Sequence, residues 1–272
     1  GPGDGPVLPG SRGWATGNTD GEPDGPSRTG MTTGGLRGGP PGHVAPLGAL
    51  VPDLLSPTEA RQLSRAMLAD VAVTVQRGEA DLLVNYSADN GSVASGLRDL
   101  LDGAAPEPDS VRYEPQIGSN RAARVGNALT HLLREEEKKS AAVVDQTAVF
   151  LRREHVGRAA MLLRTSDVVL GPAPGGRVAF AGFREPIEFT DSYATPALAT
   201  FAERAAAAAL DVDFLPMTPL VERPADLTTA LAVLAARRTA DRRLPPRTAA
   251  LLDGWDLSVA ADGSLSRPSD ND

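Results

Sequence analysis

The sequence predicts an α/β fold, a doubly wound and mostly parallel sheet with helices on both faces. Three observations predict it. Val111 to Glu114 reads as a short strand, the polar Gly-containing turn 115–121 opens a long helix ending near Glu137, and the apolar run Ser140 to Asp145 follows at once as a second strand. Strand, turn, helix, strand is the βαβ unit of such sheets. Further apolar runs of strand length alternate along the chain with segments of helical spacing. Finally, Ala141 to Val144 is apolar at every position, as in a strand buried on both faces, so this strand is expected at the centre of the sheet.

The elements follow in order. Residues 1–46 hold 14 of the 28 glycines and 8 of the 23 prolines. With almost no apolar run, this stretch cannot bury enough surface to offset its ordering entropy, and it is expected to be disordered. Met31 is a candidate for the natural start. The 226 residues from 47 onward suit one α/β domain. Ser56-Pro57-Thr58-Glu59 is a helix start with a cap, a proline in the first turn and an acid at the capping-box position. Leu63, Met67, Leu68, Val71 and Val75 then recur at helical spacing to about Gln76.

Asp81 to Tyr86 is a strand, Val93 to Leu101 a short helix, and 103–110 a loop. The βαβ unit follows, its helix at 120–138 apolar at Val125, Ala128, Leu129, Leu132 and Leu133. Arg152 to Arg164 reads as a helix, and Asp167 to Gly171 as a buried strand. Pro174-Gly175-Gly176 is a tight connection into the strand Arg177 to Phe183, a hairpin signal. Thr195 to Leu210 is an Ala-rich helix, Asp211 to Leu215 a strand, and Ala225 to Thr239 a helix broken by Leu244-Pro245-Pro246. Trp255 to Val259 and Ser264 to Ser266 form a hairpin across Ala261-Asp262-Gly263, before a loose tail at 268–272.

Composition narrows the function. The net charge is −8, and only two of the 27 basic residues, Lys138 and Lys139, are lysines. Such a chain repels phosphate backbones, so no nucleic-acid partner is expected. An Asp-rich, Lys-poor, Ala-rich chain suits a halophile or a very GC-rich genome. The absence of cysteine excludes disulfides, thiolate nucleophiles and Cys-based zinc sites. No apolar run approaches the 18 or so residues that span a membrane, and the default expectation is a cytoplasmic protein without a membrane partner.

In open α/β sheets ligands bind beyond the carboxyl ends of the strands. The turn 115–121 and Asp145 lie at two such ends. Asp145 reads either as a hard-oxygen ligand of Mg²⁺ or Mn²⁺ or as a turn-forming or capping acid. Gly118, Ser119, Asn120 and Arg121, at a helix N-terminus, read either as an anion cradle or as ordinary capping. Arg121 and Arg124 either meet phosphate or face solvent. Gly171, Gly175 and Gly176 either admit a ligand to the backbone or serve hairpin geometry. His131 and His155 read as structural, and Glu135 to Lys139 as a solvated helix end. Asp191 and Ser192 form no triad with a histidine.

Four stretches carry a resemblance. They are Pro41 to Val44 through Ser56-Pro57-Thr58-Glu59-Ala60, Tyr113-Glu114-Pro115-Gln116 through Asn127-Ala128, Val143-Val144-Asp145, and Val168 to Ala173 with Gly175-Gly176. In order and spacing they resemble the nucleotide-diphospho-sugar transferase superfamily. The likeness points to its glycosyltransferase A-type proteins of unassigned substrate, relatives of the phospholactate guanylyltransferases. It covers Leu47 to about Ala236. It implies a Rossmann-like sheet holding a nucleotide or nucleotide-sugar at its carboxyl edge through Gln116, Gly118, Asn120, Arg121, Gly171, Gly175 and Gly176. It also implies a divalent metal on the carboxylate at Asp145.

The sequence departs from the pattern at three places. Thr33 to Pro40 is Gly/Pro-rich where the family has its first strand, so that strand is expected to be missing. Ala45, Pro46 and Leu47 stand where the phosphate loop has basic side chains, and Pro174 stands where the last turn has an Asp. Gln146 and Thr147, beside Asp145, also fall within reach of the carboxylate position. Two readings follow, a metal-dependent transferase and a catalytically degenerate relative that binds a ligand or partner, with weak nucleotide binding and little turnover expected.

Overall fold

The computed structural model describes residues 30–34, 55–86, 91–194 and 196–267. Seven strands form one sheet in the order β3-β2-β1-β4-β6-β5-β7. They are β1 (Gly30–Gly34), β2 (Asp81–Tyr86), β3 (Arg112–Pro115), β4 (Ala141–Asp145), β5 (Val168–Ala173), β6 (Arg177–Phe183) and β7 (Val212–Phe214). β6 runs antiparallel to β4 and β5, and every other pair is parallel. The strands other than β6 therefore all end at one edge. β8 (Ser258–Val259) and β9 (Leu265–Ser266) form the expected C-terminal hairpin.

β4 is the middle strand and is buried along its whole length, as its apolar run Ala141 to Val144 predicts. β1 corrects the reading of its own segment. Gly30 to Gly34, inside the stretch expected to be disordered, pairs with β2 on one side and β4 on the other. The first strand is present after all. The remainder of 1–46, Ala45 to Leu47 and the tail 268–272 lie outside the described residues.

Helices cover both faces. On one face lie α1 (Pro57–Arg77), α2 (Gly91–Asp102), α4 (Arg153–Leu162), α6 (Pro224–Thr239) and α7 (Pro246–Asp253); on the other lie α3 (Arg121–Thr130) and α5 (Ala197–Ala207). The period-2 alternation of strand side chains divides the core accordingly. Leu82, Val84, Ala142 and Val144 face the first layer, while Leu83, Ala141 and Val143 face the second with a cluster of Phe183, Phe189 and Phe201. No helix among the described residues is long and apolar enough to cross a membrane.

α1 begins as its sequence predicts. Ser56 Oγ accepts from the Glu59 N–H at 3.2 Å, and Glu59 Oε2 accepts from the Ser56 N–H at 2.8 Å. α7 is a helix that the prolines at 245–246 hide. Its first-turn donors, the N–H groups of Arg247 and Thr248, are satisfied by the buried Asp70 carboxylate of α1 at 3.2 and 2.8 Å. The predicted single helix over 120–138 divides instead into α3 and one π-type turn, His131–Glu135.

Candidate functional site

The carboxyl edge is built from the ends of β3, β4 and β5. Beyond β3 the chain turns at Gly118, whose φ is +137° and where a Cβ would stand 2.7 Å from the Arg124 nitrogen. Asn120 then caps α3, its Oδ1 accepting from the Ala123 N–H at 2.9 Å. This geometry aims Arg121, the first residue of α3, at the end of β4.

There the Arg121 guanidinium forms an ion pair with Asp145 Oδ2. It also lies 4.1 Å from the centre of the Tyr193 ring and 3.6 Å from Glu222 Oε1. The other Asp145 oxygen accepts from the Thr147 N–H at 2.9 Å and hydroxyl at 2.7 Å. Burial pulls the Asp145 carboxyl upward, but Arg121 and the Thr147 donors outweigh it and hold the group below the ordinary carboxylate range. Burial likewise opposes charge on Arg121, and its acidic neighbours keep it firmly protonated. Burial pushes the Tyr193 phenol up to about 12.

Glu222 reaches this point because the segment after β7 folds back across the edge. The Thr218 N–H donates to Pro172 O at 2.9 Å and the Val221 N–H to Thr147 O at 3.1 Å. Arg177, at the start of β6, then joins Glu222 (3.0 Å) to Asp226, which it grips with both terminal nitrogens at 2.7 Å. Arg177 Nε also donates to Pro174 O at 2.8 Å, tying the network to the β5–β6 turn. Three carboxylates and two guanidinium groups thus alternate along one edge.

The structure brings Arg121 and Asp145 into contact and puts the Pro174–Gly176 turn on the same edge. Gln116 sits one residue past β3, its Nε2 donating to Asn85 O at 3.1 Å while its buried Oε1 has no partner among the described residues. Buried Gln146 Oε1, beside Asp145, is in the same state. Gly175 and Gly176 have φ of +73° and +70°, and a Cβ on Gly176 would stand 2.8 Å from Pro196. Gly171 is an internal strand residue, where a Cβ would stand 2.9 Å from that of Phe180. Glu222, Asp226, Arg177 and Tyr193 escape sequence reading. The one local signal is Asp226, at the third position of α6, which accepts from the backbone N–H groups of Glu222 and Arg223.

The metal expectation meets a specific obstacle. Both oxygens of Asp145 are engaged, and a guanidinium stands where a divalent ion would bind, so the residues as arranged do not fit a metal. Among the described residues one set of three ligand atoms does converge, from Glu114, His131 and Glu136. It lies beside the edge strand β3, away from Asp145. Arg112 forks onto Glu136 and also pairs with Glu114, and both His131 nitrogens face carboxylates, at 2.8 Å (Glu135) and 3.2 Å (Glu136). Of the helix end expected to be solvated, Glu135, Glu137 and Lys139 are exposed, while Glu136 is drawn into this ion-pair network.

No protein-family model matches the chain, and no curated protein matches it. Among solved structures, a protein designated a nucleotide-diphospho-sugar transferase from Desulfovibrio desulfuricans G20 superposes with a TM-score of 0.67 at 19% identity, over 85% of this chain and 95% of that one. This is the nucleotide-diphospho-sugar transferase fold. A 4-diphosphocytidyl-2C-methyl-D-erythritol synthase from Anaerococcus prevotii aligns at TM-score 0.46 and 12% identity, over 76% and 95% of the two chains. A CMP:2-keto-3-deoxy-manno-octonic acid synthetase complexed with CTP aligns at TM-score 0.45 and 11% identity, over 78% and 100%. In a nucleotide-diphospho-sugar transferase fold, the edge carrying Asp145 and Arg121 is the one at which the switch-point rule places a ligand.

Proposed function

We propose that this chain binds a nucleotide or nucleotide-sugar at the carboxyl edge of the sheet, as a nucleotidyl- or sugar-transferase-like protein related to the phospholactate guanylyltransferases. One observation supports it most. Gln116 Oε1 and Gln146 Oε1, just past β3 and β4, are buried acceptors with no donor among the described residues. Buried polar groups are normally satisfied, and the amino or imino N–H of a nucleobase supplies the missing donor. Turnover would rest on positioning and charge neutralisation rather than covalent chemistry.

A second reading, binding without turnover, is favoured by the Arg121–Asp145 pair. An Arg121 side chain that swings toward phosphate would free Asp145 for Mg²⁺ or Mn²⁺. One that stays leaves the carboxylate closed. Calorimetric titration with CTP and with nucleotide sugars, with and without Mn²⁺, tests both. Binding that weakens in Gln116→Ala supports the nucleotide site; binding unaffected by Gln116→Ala and Gln146→Ala, or no binding, refutes it. Mn²⁺ dependence that vanishes in Asp145→Ala selects the metal-dependent transferase, and Mn²⁺-independent binding selects the second reading.

A further inference from the structure

A cavity of about 520 Å³ opens on the helical layer formed by α1, α4, α6 and the start of α7. It is distinct from the Asp145 edge. Its rim includes Arg77, the last residue of α1, four residues before β2 begins at Asp81. Gly78 packs there against Val156 of α4. This is the amino edge of the parallel strands, whereas Asp145 ends β4 at the carboxyl edge.

Six arginines line the cavity, Arg77, Arg152, Arg153, Arg237, Arg242 and Arg243, against three acids, Asp70, Glu154 and Asp241. That is a local positive excess in a chain of net charge −8. One of the acids is committed elsewhere and one within the cavity. Asp70 caps α7, and Glu154 pairs with Arg153 at 3.2 Å, which leaves five arginines against Asp241. No carboxylate among the described residues lies within ion-pair distance of Arg77, Arg152, Arg237, Arg242 or Arg243.

Two of the arginines are held in place. Arg237 is half-buried, its guanidinium 5.0 Å from the centre of the Phe150 ring. Arg152, exposed on the rim, has Nη2 3.2 Å from Nε2 of the buried His155. Burial first, and then the Arg152 charge, lower the affinity of both Arg237 and His155 for a proton, with Glu154 opposing this at His155. Val73, Val149, Leu151 and Leu244 supply an apolar wall. The volume lies within the range of small-ligand pockets, and unpaired guanidinium forks are the groups that grip phosphate bidentately.

We infer that this cavity is a second ligand site, for a small polyphosphate whose phosphates lie on Arg152, Arg237 and the Arg242–Arg243 pair. The apolar wall accommodates an organic group on the same ligand. The site is independent of the nucleotide reading of the carboxyl edge.

The test is titration of the full chain with inorganic tripolyphosphate and, in a parallel arm, with ATP. Wild type is expected to bind tripolyphosphate with an affinity that falls steeply as salt rises. Arg152→Met and Arg237→Met should each weaken it tenfold or more, and Gln116→Ala should leave it unchanged. ATP tighter than tripolyphosphate, by a margin sensitive to Arg237→Met, indicates an organic polyphosphate; equal affinities indicate the phosphate chain alone. Should Arg237→Met not fold, the exposed pair Arg242→Glu/Arg243→Glu decides, with the same tenfold loss expected. No binding by wild type, affinities unchanged in the arginine variants, or binding lost in Gln116→Ala instead would overturn the inference.

Discussion

Arg121, the first residue of α3, closes upon Asp145, the last residue of β4, so that a helix N-terminus and a strand C-terminus meet through one guanidinium. Asp145 is 6% exposed. Its charge is tolerated because Arg121 and Thr147 satisfy both oxygens. The Arg121 guanidinium thus occupies the place beside the Asp145 carboxylate that a metal ion would take.

Removing that cation should therefore be costly. Arg121→Met leaves a buried carboxylate without its partner, a change worth about 3–5 kcal/mol. Chemical denaturation should read this loss at neutral pH. The variant should also gain a Mn²⁺-dependent rise in melting temperature that wild type lacks. A stable variant indifferent to Mn²⁺ would show that Asp145 needs neither cation.

α7 hangs on a side chain from a distant helix. Asp70→Ala deprives the first-turn N–H groups of Arg247 and Thr248 of their acceptor, at an expected cost of about 1–2 kcal/mol. Hydrogen exchange should locate the loss in 246–253 and leave β4 protected. Uniform loss of protection would contradict a local capping role.

Acid should loosen the Arg177–Asp226 clamp. Burial raises the Asp226 carboxyl, but Arg177 and the Glu222 and Arg223 N–H donors outweigh it and hold it below its ordinary value. Its folded value thus lies under the unfolded value of about 3.9. The stability it contributes is complete above that pH and disappears as the pH falls through the folded value. Asp226→Asn should be less stable than wild type at pH 7, with the gap closing on acidification. A gap that is constant with pH would show that charge is not the cause.

Gly118 is held at a φ that side chains resist, against the backbone of Arg124. Gly118→Ala should cost about 1–3 kcal/mol and displace Arg121 from Asp145. A loss that is not additive with that of Arg121→Met would identify the shared origin. Full additivity would separate the two.

Local signals made most of the fold legible. Ser56 and Glu59 announce α1 by a reciprocal cap that forms within four residues. Ala141 to Val144 announce the central strand by being apolar throughout. What stayed hidden depends on partners far along the chain. α7 takes its cap from Asp70, 177 residues before Arg247. β1 has two threonines, a methionine and two glycines, and neither propensity nor alternation marks it; it is a strand because both neighbours offer it a ladder. At the candidate site, Arg121 and Asp145 each carried a chemical reading, but their mutual engagement depends on a turn at Gly118. Glu222 arrives through backbone hydrogen bonds to Pro172 and Thr147 that no spacing encodes.

The position of β1 has one more consequence. Both its neighbours are parallel strands that otherwise have no bond to each other, so cutting the chain down to Leu47 would not trim a tail. It would open a slot through the middle of the sheet, with the bare amide and carbonyl rows of β2 and β4 facing across it. A shortened chain of that kind would act as an acceptor. It would take up a free Gly-Met-Thr-Thr-Gly peptide, or the corresponding segment of an intact neighbour, by the strand donation through which chaperones complete unfinished pilins.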